Sequence, residues 1–174
     1  LDKIKSQIGE FWIDEFDFNQ NVGILLSVSS FCKPQHLWRL DLGSEDLVQL
    51  TEPSYSVKVG QTKSEIFLAN DGLDMQYYVI EPDEVNDLTE TIVFFHGGPT
   101  VQTTCKWDRV IASFLSENFR VIAPNPRGGI GRGAEYCSLD DGKKRLNLMD
   151  NEIGPFIEKM NSEFGNICVY GGSY

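Results

Sequence analysis

Asn166–Tyr174 reads N-I-C-V-Y-G-G-S-Y, and the reading of this stretch decides the fold. Ile167 to Tyr170 make the kind of short apolar run that forms a strand buried on both faces, with Cys168 as core, and two glycines and a serine follow at once. A serine held at a strand tip between glycines opens a nucleophile elbow of the form G-x-S-x-G, where a larger neighbour would collide with the strand or with the next helix. Gly171, Gly172 and Ser173 fit its first three positions, and the sequence stops at Tyr174, before the second glycine. Gly-Gly-Ser is equally the composition of a linker, so the elbow needs support from elsewhere in the chain.

Two earlier stretches supply it. Thr91 to Phe95 (T-I-V-F-F) is a continuous apolar run leading into His96-Gly97-Gly98-Pro99, and Phe119 to Ala123 is a second, ending in Pro124-Asn125-Pro126-Arg127-Gly128-Gly129. Between the two, Trp107 to Glu117 carries an apolar stripe at helical spacing. Leu146 to Phe164 predicts another helix, kinked at Gly154-Pro155, with Asp150, Glu152 and Glu158 on a solvated face. Ser64 to Ala69 and Met75 to Ile80 form a hairpin around Asn70-Asp71-Gly72, residues that tolerate positive φ. Strand and helix alternating after an opening hairpin means a parallel sheet with crossover helices.

Three loops then meet at the carboxyl edge of that sheet, where open α/β sheets bind ligands. Glycines at 97 and 98 leave a backbone N–H unshielded. The N–H groups of Gly98 and Tyr174 would form an oxyanion hole for Ser173 as attacking group, with His96, Gly97, Pro99 and Asn125 as the supporting loops. Arg127 is read either as a substrate-binding cation or as the partner of a carboxylate. Both histidines, His36 and His96, precede Ser173, whereas hydrolases of this kind place the triad Asp or Glu and the His after the serine. A polypeptide of these residues alone is therefore expected to be inactive, because a serine hydroxyl without a base is a poor nucleophile at neutral pH.

Residues 1 to 58 read differently. Phe11–Phe18, Gly23–Ser29 and His36–Leu42 are short strands separated by turn residues, the size of one propeller blade, and His36 falls on a blade strand or turn. The polar connection from Thr51 to Lys63 marks the boundary, giving residues 1–58 as a blade and 59–174 as part of a catalytic domain. A net charge of -11 argues against nucleic acid and anionic membranes as partners, and no apolar run approaches a membrane span. Four dispersed cysteines and the absence of metal-ligand spacing predict no metal and no cofactor, and a reduced, cytoplasmic setting is the simplest expectation. The first residue, Leu1, is not methionine, so an upstream segment is expected.

Taken in order, H-G-G-P at 96–99, P-N-P-R-G at 124–128 and G-G-S-Y at 171–174 resemble the prolyl oligopeptidase family of serine peptidases, in its acylaminoacyl-peptidase and dipeptidyl-peptidase-like branch. The resemblance covers nearly the whole chain and implies a last propeller blade followed by the N-terminal half of an α/β-hydrolase domain, opened by a hairpin with a D-G-L turn, here Asp71 to Leu73. It implies a peptide or acyl-peptide substrate. Departures fall at Pro126, where the family usually has an aromatic residue, and near Arg132, where a tyrosine is usual. An esterase or lipase of the same fold, or a silent binding protein on a shortened hydrolase scaffold, are the alternatives. The last strand would be central in a complete sheet, so its apolar edge invites self-association or a complementing C-terminal half.

Overall fold

The computed structural model describes residues 10–98 and 100–173. Contacts group them into two units: the described residues up to Lys58 together with Thr104–Ser113, and Val59–Thr103 with the described residues from Phe114 onward.

In the first unit β1 (Trp12–Asn19), β2 (Gly23–Ser30), β3 (Lys33–Leu40) and β4 (Leu47–Gln49) form an antiparallel sheet in sequential order. Tight turns explain the order. Asn19 accepts hydrogen bonds at the β1–β2 turn, on its main-chain oxygen from Val22 and on Oδ1 from Asn21. Asp41 Oδ1 accepts those of Gly43 and Ser44 after β3. Leu26, Val28, Trp38 and Leu47 are the buried core. His36 lies on β3, buried, with Nδ1 donating to the Pro34 carbonyl at 2.9 Å.

The second unit is a five-stranded sheet in the order β5-β6-β8-β7-β9. β5 (Val59–Leu68) and β6 (Asp74–Pro82) are the hairpin, longer than Ser64–Ala69 and Met75–Ile80 because the mostly polar run 59–63 pairs with Val79 to Pro82 across a bulge. β6 runs antiparallel to β8 (Arg120–Asn125), which is parallel to β7 (Thr91–Phe95), which is parallel to β9 (Ile167–Gly171). Helix α1 (Arg109–Ser116) connects β7 to β8, and a longer connection returns from β8 to β9 through α2 (Ala134–Cys137), α3 (Arg145–Leu148) and α4 (Gly154–Phe164). The two crossovers take opposite faces. Phe156 and Met160 of α4 pack with Val93, Ile122 and Tyr77 on one face, while Phe114 of α1 meets Tyr170, itself stacked on Phe94, on the other. Crossovers of one hand running in opposite directions along a sheet must do this.

Between α3 and α4, Met149–Ile153 is a π-turn, and Pro155 explains it. Proline has no N–H and its ring clashes with the carbonyl four residues back, that of Asn151, so the regular ladder cannot continue. The carbonyl thus released accepts the N–H of Asn70 at 2.9 Å, tying the helix to the hairpin turn. The extra residue in the turn also carries Glu152 to the interior. Asp150 and Glu158 are exposed as read from the sequence, but Glu152 is fully buried, contrary to the solvated face expected for it.

A second correction concerns β9. It has β7 as its single neighbour among the described residues, so Cys168 is exposed rather than core and Val169 is 59% exposed. Among the described residues, no helix is long and apolar enough to cross a membrane.

Candidate active site

The site lies in the second unit, at the carboxyl ends of β7, β8 and β9, and the local sequence dictates why each piece sits there. Phe95 pairs with Gly171 at the last register of the β7–β9 ladder, so His96-Gly97-Gly98 and Gly172-Ser173 leave the sheet side by side. They touch. A β-carbon on Gly97 would lie 2.6 Å from the Gly172 carbonyl oxygen and 3.3 Å from Ser173 Cβ, so no larger residue fits at 97 without displacing the serine loop. Ser173 has φ 75°, an uncommon conformation for a residue with a side chain, held here against its own sterics. It is exposed, at the tip of its strand. Gly98 also has positive φ, and a β-carbon there would reach 3.5 Å from Val101 Cγ2. Pro99 and Tyr174, which the sequence nominates for the supporting loop and the oxyanion hole, fall outside the described residues.

His96 sits half-buried behind this turn. Its Nδ1 can only donate to the Gly97 carbonyl, 3.2 Å away, because a carbonyl oxygen only accepts. Nε2 therefore carries the lone pair, buried and with no hydrogen-bond partner among the described residues. Burial lowers the imidazole pKa below its ordinary value, opposed by the Gly97 contact, so the ring is neutral at pH 7.

Asn125 closes β8 and clamps the loop after β7. Its Oδ1 accepts the N–H of Thr103 at 2.6 Å and its Nδ2 donates to the Thr103 carbonyl at 2.8 Å, a two-bond grip that a buried amide can make with backbone. The Asn125 carbonyl in turn accepts the hydroxyl of buried Tyr136, whose pKa burial pushes up to about 12. Sequence reading placed Asn125 in the supporting loop. Tyr136 escaped it, standing in a four-residue helix after a glycine run.

Arg127 is buried and its guanidinium is held between two carboxylates. Nε donates to Glu152 Oε2 at 2.8 Å, and Nη1 and Nη2 donate to the two oxygens of Asp71 at 2.7 and 2.8 Å. Glu152 Oε1 also accepts the main-chain N–H of Arg127 at 2.8 Å. These contacts are those of the carboxylate-partner reading, and Arg127 also lines a cavity that Ser173 lines. The hydrogen bonds from Arg127 hold the Asp71 carboxyl below its usual range, those from Asp71 raise Arg127 further above neutrality, and burial pushes Glu152 upward against the pull of the arginine. Such a fork satisfies planar carboxylates in a way lysine cannot.

A cavity of about 550 Å³ opens beneath Ser173, lined mainly by apolar side chains including Phe95, Pro126, Leu148, Met149, Ile153 and Val169. Phe95 and Val169 point to the face of the sheet that carries α4, and the cavity lies on that side.

No protein-family model matches the sequence. The structure is similar to Pyrococcus horikoshii acylaminoacyl peptidase in an orthorhombic crystal form, with TM-score 0.74 and 21% identity, covering 94% of this chain and 27% of that one. It is similar to an acylaminoacyl peptidase in complex with Z-Gly-Gly-Phe-chloromethyl ketone, with TM-score 0.67 and 20% identity, over 94% of this chain and 27% of that one. Prolyl oligopeptidase B from Galerina marginata, as the apo protein, matches with TM-score 0.73 and 16% identity, over 90% of this chain and 24% of that one. The chain thus spans about a quarter of the length of these structures. The likeness of motif is matched by a likeness of structure: the chain has the fold of the prolyl oligopeptidase family, a blade-like antiparallel sheet followed by the N-terminal half of an α/β-hydrolase sheet.

Proposed function

We propose that this chain is the nucleophile-bearing part of a serine peptidase of the prolyl oligopeptidase type, acting on peptide or acyl-peptide bonds. The observation that carries the reading is the fit of Gly97 against Gly172 and Ser173, with the serine in a left-handed conformation at its strand tip. A peptide is supported as substrate class by the peptide ligand in one of the similar structures. The domain reading, with a blade over residues 1–58 and the hydrolase portion over 59–174, is part of the proposal.

In this mechanism Ser173 Oγ attacks the scissile carbonyl, its proton passing to a base as the C–O bond forms. The N–H groups of Gly98 and Tyr174 stabilise the oxyanion, a contribution worth roughly 10²–10³ in rate per donor in enzymes of this chemistry. Residues 1–174 do not supply the base. His36 Nδ1 donates to the Pro34 carbonyl, His96 Nδ1 donates to the turn that carries Gly98, and both histidines precede Ser173 in sequence. The triad Asp and His are assigned to sequence outside these residues, and a polypeptide limited to 1–174 should not turn over. The apolar cavity is assigned to packing. A right-handed crossover leaving β9 in the direction taken by β8 to β9 would lay its helix on the α4 face, over Phe95 and Val169. The substrate then approaches from the solvent side of the strand ends.

Comparing an aminoacyl or peptidyl chromogenic substrate with a short-chain ester tests the reading. In the protein with its natural flanking sequence, peptide hydrolysis that Ser173→Ala abolishes is expected. Ester hydrolysis without peptide hydrolysis would point instead to an esterase, and rapid turnover by residues 1–174 alone would overturn the assignment of the base.

A further inference from the structure

Glu152 lies far in sequence from the oxyanion loop, yet a short series of hydrogen bonds and close approaches leads from one toward the other. Its carboxylate grips Arg127 twice, on the main-chain N–H and on Nε, each at 2.8 Å, with no exposure to solvent. Two residues on, the loop lies against Val101: a β-carbon on Gly129 would come 2.9 Å from the Val101 carbonyl oxygen, and the N–H of Ile130 donates to that same oxygen at 3.3 Å. Val101 also lies beside Gly98: a β-carbon placed on that glycine would come 3.5 Å from Val101 Cγ2. The N–H of Gly98 lies in the Gly97–Gly98 peptide plane, whose carbonyl accepts His96 Nδ1 at 3.2 Å, and the Gly98 φ of 69° lies in the left-handed region.

We propose that Glu152 is a positioning residue for the oxyanion loop, acting through the Arg127 backbone and Val101 to set the direction of the Gly98 N–H. This rests on the proposed peptidase reading for its catalytic meaning, but the mechanical coupling does not. Asp71 holds the far end of the guanidinium and keeps Arg127 from swinging out of the grip. A bound glutamine at 152 could accept one of the two N–H bonds but would turn an N–H₂ toward the other donor. Aspartate keeps the charge but is one methylene short, so it restores less of the alignment than of the ion pair.

The test is amide hydrogen exchange in the protein with its natural flanking sequence, comparing the unmodified form with Glu152→Gln and Glu152→Asp at a temperature where all remain folded. Faster exchange in residues 97–103 as well as around 127, with β5 unchanged, is the expected result. Loss of protection confined to 127 and 149–155 would overturn the proposal. Where the protein hydrolyses peptides, kcat should fall on the order of tenfold with KM little changed, the scale at which remote residues modulate a coupled site. Glu152→Ala and Arg127→Ala should be strongly non-additive in kcat. Additive effects, or a change in KM alone, would return Arg127 to a direct substrate role. An unmodified protein that hydrolyses nothing, but shows the exchange pattern, would fault the peptidase reading and leave the role of Glu152 standing.

Discussion

Ser173 and Gly97 are matched residues: one adopts a backbone conformation that disfavours side chains, and the other has no side chain so that the first can sit where it does. Gly97→Ala should therefore disturb the serine loop directly. The new methyl must displace the Gly172 backbone, and activity should fall steeply while the thermal midpoint of the whole domain moves little, because the contact is at the exposed strand tip. Steady-state kinetics beside a melting curve checks this. Arg127 is the opposite case, a buried ion whose loss leaves the fully buried Glu152 carboxyl without its cation. Arg127→Ala should destabilise the domain by about 3–5 kcal/mol in denaturant unfolding, as for other buried pairs cut on one side. Titration adds a sign. His96 has its pKa lowered in the fold, so the folded state binds fewer protons than the unfolded one, and its contribution is present above about pH 6.5 and declines as pH falls. Asp71, also lowered, loses its contribution at lower pH, beneath about pH 4, while Glu152, raised by burial, works in the opposite direction, its contribution falling as pH rises above the ordinary glutamate range. Stability measured from pH 7.5 downward should thus drop first in the histidine range, and His96→Asn should remove that first step.

At the scale of elements, the π-turn at Met149–Ile153 joins a local sequence rule to a distant contact. Pro155 cannot bond the Asn151 carbonyl, and Asn70 takes it instead. Pro155→Ala would let the helix compete for that carbonyl. The expected outcome is weaker protection of the Asn70 amide in hydrogen exchange and a rotation of Glu152 away from Arg127, with reduced stability despite the better helix former. Unchanged protection at Asn70 would show that the hairpin, not the proline, sets the turn. This element also marks the limit of what could be read from the residues. Gly154-Pro155 announces an interruption, and the apolar spacing of Phe156, Ile157 and Met160 announces the packed face. Neither says which way Glu152 turns, because that depends on an inserted residue and on an arginine twenty-five positions earlier. The polar strand residues 59–63 were hidden for a related reason: exposed hairpin edges carry no apolar alternation.

For the whole molecule, a hairpin followed by parallel strands with crossover helices was legible in the alternation of runs and loops, whereas the order β5-β6-β8-β7-β9, with β8 rather than β7 beside β6, was not. The described parts of the three motifs, 96–98, 124–128 and 171–173, fall at one sheet edge because β7, β8 and β9 run parallel. Burial of β9 was not legible, since an apolar strand reads the same whether or not a neighbour covers it. Its exposed Val169 and Tyr170, with backbone groups open on one side, make a surface that other strands can join. A polypeptide of residues 1–174 should self-associate in sedimentation velocity, and Val169→Lys should reduce the association. A well-behaved monomer would show the edge to be harmless.

Labelling with a fluorophosphonate, followed by mapping of the modified peptide in the protein with its natural flanking sequence, tests the central claim most directly. The account predicts a single adduct on Ser173, lost with peptide hydrolysis in Ser173→Ala. An adduct on another residue, or hydrolysis that survives the substitution, would contradict it.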